Sequence, residues 1–160
     1  MRALLIACCV ATAAPVFADA TAPSPARATD RGEVIALAEP IAFRPGTVEI
    51  VAGSRRQLDA LAVLLENTPS LLAIEIQVHS DARGAAEYNL KTSEGRAQAI
   101  RTYLIGRGIK AERLRAKGYG ESKPICNQPT AACFAKNRRV EIHVIARASA
   151  SPQRAAKRSQ

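Results

Sequence analysis

The run from Leu72 to His79 constrains this chain most: Leu72, Ile74, Ile76 and Val78 alternate with Ala73, Glu75, Gln77 and His79. A period of two is the pattern of a half-buried β-strand, which needs a second layer to cover its apolar face. Helical patterns on both sides of the strand supply candidates. On the N-terminal side, Ser54 and Gln57 fit a capping box, Leu58, Leu61, Ala62 and Leu65 follow at helical spacing, and Pro69 marks a stop. On the C-terminal side, Ser93 reads as an N-cap and Ala97, Ile100 and Leu104 share one face, with Gly106 and Gly108 at the end. This places Arg96 in the first turn of the second helix.

Three further stretches read as strands. Val34 to Phe43 is apolar, with Pro40 arguing for an edge or a break. Arg113 to Tyr119 alternates basic residues with Leu114 and Ala116, and Arg139 to Ile145 puts Val140, Ile142 and Val144 on one face. The order βαβαββ predicts an α/β (α+β) two-layer sandwich: a mixed β-sheet with helices packed on one face. No internal repeat is present.

The ends differ in composition from this body. Arg2, a small-and-apolar run from Ala3 to Ala14, and Val16-Phe17-Ala18 ahead of the first acid, Asp19, read as a secretory signal peptide over residues 1–18. Leu5-Ile6-Ala7-Cys8 has the pattern of a bacterial lipobox. It sits too near the start to leave a normal apolar region ahead of it, so cleavage near Ala18 is the expectation. Residues 19–32, rich in Ala, Pro, Thr and Ser, read as a flexible linker, and 147–160 as a disordered basic tail. The folded domain is then 33–146. The formal charge of +9 divides into +1 before Glu33, +4 over 33–146 and +4 over 147–160.

Export also sets the redox context. Removal of the signal leaves Cys126 and Cys133 as the remaining cysteines in an oxidising compartment, which predicts a disulfide. So small a loop is worth about 2.5 kcal/mol on the chain-entropy model. Two thiols do not make a metal site, and His79 and His143 sit in strand-like surroundings, so neither a metal nor a cofactor is expected. Gly118 and Gly120 lack the following helix and the wider fingerprint of a phosphate cradle. The sequence shows neither an acid pair nor an activated nucleophile, which argues against an enzyme. Export and the scarcity of aromatics argue against nucleic acid.

Opposite charges stand at both ends of the segment between the central strand and the second helix. Asp81 follows the strand, and Arg96 opens the helix. A carboxylate accepts hydrogen bonds from an ammonium and a guanidinium grips a carboxylate through two parallel bonds, so the two together would select a zwitterion. Asn89 offers an amide, and backbone N–H groups near Ser80 and Ala82 offer further donors. Spacing alone equally allows Asp81 to cap the following segment and Arg96 to lie on a solvated face.

His79-Ser80-Asp81-Ala82-Arg83-Gly84, Tyr88-Asn89-Leu90, Ser93-Glu94-Gly95-Arg96-Ala97, Gly118-Tyr119-Gly120-Glu121 and Asn137-Arg138-Arg139-Val140-Glu141-Ile142 occur in this order. The series resembles the OmpA-like C-terminal domain family from about Pro40 to Val144. The resemblance implies a non-catalytic periplasmic domain that binds peptidoglycan by the diaminopimelate of its peptide stem. It assigns ligand contacts to Asp81, Arg96, Asn89 and Arg138, leaving Arg139 either exposed or supporting; the backbone N–H groups at Ser80 and Ala82 complete the expected site. It also implies association with the outer membrane and cell wall, and partners among outer-membrane or other envelope proteins. The chain departs from the family at Val78, where glycine is usual, and at Thr92, where leucine is usual. A second function, independent of the resemblance, is electrostatic adhesion of the basic tail to anionic envelope polymers.

Overall fold

The computed structural model describes residues 33–148. The expected signal peptide and linker, and the tail beyond Ala148, lie outside the described residues. Four strands form one mixed sheet in the order β1 (Val34–Ile35), β4 (Val140–Arg147), β2 (Leu71–His79), β3 (Leu114–Gly120). β2 runs parallel to β3 and antiparallel to β4, and β1 pairs antiparallel with β4. Helices α1 (Ala52–Asn67) and α2 (Ala86–Gly106) lie in chain order between β1, β2 and β3, and a short helix, α3 (Ala131–Asn137), precedes β4. The α+β two-layer architecture is the one the sequence predicts.

The core forms where the two layers meet. Leu58, Leu61, Ala62 and Leu65 of α1 and Ala97, Ile100 and Leu104 of α2 are buried with Ile74, Ile76 and Val78 of β2, Leu114 of β3 and Ile142 and Val144 of β4. At β2 the alternation slips by one: Leu71 is buried and Leu72 is half exposed. Bulges in the pairing with β4 on either side of Ala73 cause the slip, since an extra residue in one strand turns the next side chain to the other face. Val78, the departure from glycine, is a strand residue paired with both Gly118 and Val140, beside a register shift in the pairing with β3, and among the described residues no non-glycine has positive φ. Its backbone therefore needs no glycine freedom.

Several expectations are corrected. The first strand is only Val34–Ile35; residues 42–51 instead fold into a tight loop, with Phe43 bridged to Ile50 and Gly46 at φ 70°. The capping box at Ser54 is not formed: α1 begins at Ala52, and Ser54 Oγ accepts the Ala42 N–H at 2.9 Å, tying that loop to the helix. The second helix begins at Ala86, so Ser93 lies inside it and Arg96 in its third turn. Helix α3 was not anticipated, although Thr130 caps it by accepting the Cys133 N–H. β4 continues through Arg147, one residue beyond the expected domain boundary, and Arg147 pairs with Glu33 at 2.5 Å.

Why Ser93 misleads is visible in its contacts. Its hydroxyl donates back to the Leu90 carbonyl at 2.8 Å and accepts the Gly120 N–H at 2.9 Å. The next residue, Glu94, accepts the Gly118 N–H at 2.6 Å. Together these bonds seat the middle of α2 on the end of β3. The seat is so close that a Cβ on Gly118 would lie 2.2 Å from the Glu94 nitrogen. Gly118 is there for helix–strand approach rather than for phosphate.

Candidate functional site

Asp81 leaves the end of β2 and is only 6 % exposed, yet it carries a charge because two arginines converge on it. Arg83 donates from Nε to both carboxylate oxygens at 3.2 Å, from Nη2 to Oδ2 at 2.8 Å, and from its backbone N–H to Oδ1 at 3.0 Å. Arg138, just past α3, donates from Nη1 to Oδ2 at 2.5 Å. The hydrogen bonds from Arg83 do most to hold the carboxyl pKa down at about 2, against the opposing effect of burial, with Arg138 adding to them. Asp81 is an anion at any physiological pH.

Arg96 is placed by the 42–51 loop. Its Nε donates to the Thr47 carbonyl at 3.0 Å and its guanidinium lies 5.0 Å from the Phe43 ring centroid. Burial draws its pKa below the ordinary arginine range, partly opposed by Tyr88. Gly95 lets α2 approach the loop, since a Cβ there would meet Val48 Cγ1 at 2.8 Å.

Arg96, Arg83 and Arg138 line one cleft of about 550 Å³, together with Phe43, Pro45 and His79. The structure thus brings Arg96 to the same cleft as the two arginines that hold Asp81. Ser80 and Ala82 line a neighbouring cleft of about 360 Å³ with Glu121 and Phe134. The buried Ser80 hydroxyl has no hydrogen-bond partner. Asn89 is buried with its amide turned inward, Nδ2 facing the Asp81 and Arg83 carbonyls at 3.2 Å and Glu121 Oε2 at 2.7 Å. It holds the loop that presents Asp81.

The Asn137-Arg138-Arg139 run divides its labour. Asn137 is buried, accepts the Ile125 and Cys126 N–H groups and donates to the Cys126 carbonyl, which fixes the loop before α3. Cys126 and Cys133 are disulfide-bonded, as the sequence predicts. Arg139 pairs with Glu141 at 2.7 Å and reaches the Lys123 carbonyl. Sequence reasoning gave no role to Arg83, Phe43, Thr47 or Glu121. Arg83 carried a signal, two residues from Asp81 in a Gly-terminated loop; the other three reach the site only through tertiary contacts.

A model of the OmpA family matches residues 42–138, which is most of the described body. The chain belongs to the OmpA family. It is 37 % identical over 99 residues to the peptidoglycan-associated lipoprotein of Rhizobium meliloti, covering 62 % of this chain and 56 % of that protein. The chain thus spans about half the length of that relative. The crystal structure of the peptidoglycan-associated lipoprotein from Burkholderia pseudomallei superposes with a TM-score of 0.59 at 29 % identity, over 66 % of this chain and 90 % of that one. The cell wall anchor of the T6SS from Pseudomonas aeruginosa gives a TM-score of 0.58 at 30 % identity, over 65 % and 74 %. In this OmpA-family domain the matched segment contains Asp81, Arg83, Asn89, Arg96 and Arg138.

Proposed function

We propose that this chain binds peptidoglycan non-covalently through the diaminopimelate of its peptide stem. The observation that carries the reading is the pairing of a fully ionised carboxylate, Asp81, with a cleft walled by Arg96 and Arg138 in an OmpA-family domain. The far end of diaminopimelate bears an ammonium and a carboxylate. Asp81 takes the ammonium and Arg96 the carboxylate; Arg138 keeps Asp81 charged and aimed, and Asn89 holds the loop. Ser80 and Ala82, in the adjoining cleft, meet the rest of the stem. Binding of this kind needs no chemical step.

The names of the relatives support a place in the cell envelope, in the periplasm beside the outer membrane and the wall. There the domain anchors or positions itself, or an envelope protein that recruits it. Purified wall sacculi should pull down the full chain, and free meso-diaminopimelate should compete. Asp81→Ala and Arg96→Ala should each abolish retention while leaving the fold intact by circular dichroism. Unchanged retention in both variants would reject this site.

A further inference from the structure

We propose that Arg83 is an internal competitor for the ligand's ammonium: its guanidinium occupies the Asp81 carboxylate in the free protein and must leave before the ammonium binds. The inference rests on the diaminopimelate reading of the cleft. It starts from the acceptor capacity of Asp81. A carboxylate offers about four lone-pair sites. Arg83 makes three side-chain contacts and one backbone contact to it, and Arg138 makes another. No acceptor site is left over for a third cation.

The two arginines are not equivalent. Arg138 follows directly on α3, whose last residue, Asn137, is fixed to the Cys126 loop by three hydrogen bonds. Arg83 hangs on an exposed loop residue, and its side chain is 62 % exposed. Its other side-chain partner is the face of Phe134, 5.0 Å from the guanidinium carbon. The Arg83 guanidinium regains water when it swings away, and the incoming ammonium takes its place on the buried carboxylate, so Asp81 is never left unpaired. The backbone bond from Arg83 N–H to Asp81 Oδ1 does not depend on the side chain, so the loop keeps its shape when the guanidinium departs. A planar cation that fits a carboxylate better than free ammonium also disfavours weakly charged or lone-amine ligands.

Binding of two tripeptides to the full chain tests this by isothermal titration. One carries meso-diaminopimelate at its third position; the other carries 2-aminopimelate, which keeps the far carboxylate and lacks the far ammonium. Arg83→Gln should bind the diaminopimelate peptide about fivefold more tightly than the native chain, because no guanidinium has to be displaced from Asp81, a change at the upper end of what a pair with one solvated partner contributes. Affinity for the 2-aminopimelate peptide should not change. Arg83→Lys, which loses the fork but keeps the charge, should fall between. Equal or weaker binding of the diaminopimelate peptide by Arg83→Gln overturns the competition and leaves the site standing. An equal gain for both peptides shows that Arg83 obstructs by bulk alone, which also overturns it. Absence of binding by the native chain and every variant overturns the diaminopimelate reading, and the competition with it.

Discussion

His79 is the polar side chain in this body with the least accommodation: it is 3 % exposed, and neither ring nitrogen has a hydrogen-bond partner. Its Nε2 is 3.8 Å from Glu141, too far for a hydrogen bond, and its ring stacks on Tyr119 with centroids 5.2 Å apart. Burial first, and then Arg139, push its pKa down to about 4 against the opposing charge of Glu141. The imidazole is therefore neutral at pH 7, and Glu141 is its neighbour rather than its salt-bridge partner. Between pH 6.5 and 4 the unfolded chain takes up a proton that the folded chain refuses. Stability attributable to His79 is accordingly full above pH 6.5 and is lost as pH falls towards 4, by about 3 kcal/mol. His79→Phe keeps the ring stack and cannot be protonated. Urea melts of the two proteins should diverge across that window, with the native chain losing more; parallel curves would contradict the assignment. At this scale the sequence was informative about charge type and silent about occupancy. Asp81 and Arg96 stood out because opposite charges flank a strand–helix join, whereas the grip of Arg83 on Asp81 depends on a loop conformation that Asn89 and Arg138 impose from elsewhere.

Helix α2 and strand β3 meet through backbone, and this contact is where local pattern failed as a guide. The buried positions of α2 are Asn89, Ser93, Ala97, Ile100 and Leu104, a regular helical stripe whose first two members are polar. An apolar period therefore becomes visible only from Ala97, and Ser93 passes for a cap. Ser93 is inside because its hydroxyl accepts the Gly120 N–H at the end of β3, and Asn89 because its amide holds the Asp81 and Arg83 carbonyls and Glu121. Ser93→Ala should cost about 1–2 kcal/mol by leaving the Gly120 N–H buried without an acceptor. Gly118→Ala should cost about 3 kcal/mol or more, since the added methyl meets helix backbone that cannot rotate away. Chemical denaturation ranks the two; a Gly118→Ala protein as stable as the native chain would show that α2 is free to shift. Helix α3 is a smaller case of the same problem. Seven residues give too short a period to read, yet Thr130 and the disulfide together hold them. Replacing Cys126 and Cys133 by serine should lower stability by about 2.5 kcal/mol through the unfolded state. Because α3 leads directly into Arg138, the same variant should weaken ligand binding beyond its effect on folding.

Across the whole molecule, the two functional readings differ in where charge does its work. The described body ends in β4, whose last residue, Arg147, pairs with Glu33 on its own surface. That arginine belongs to the fold, so removing residues 149–160 deletes three basic residues and leaves the sheet and the cleft whole. Charges that act through solvent are screened over about 8 Å at physiological salt. Ion pairs formed with buried Asp81 and partly buried Arg96 are screened much less. If the cleft carries binding, the shortened chain should be retained on sacculi as well as the native one, and retention should survive a rise in salt from about 0.15 to 0.5 M at which the Debye length roughly halves. If adhesion to anionic polymer carries it, the shortened chain should wash off and Asp81→Ala should be retained. The pair of variants separates the readings whichever way the salt series falls, because one removes charge without touching the site and the other removes the site while making the protein more basic.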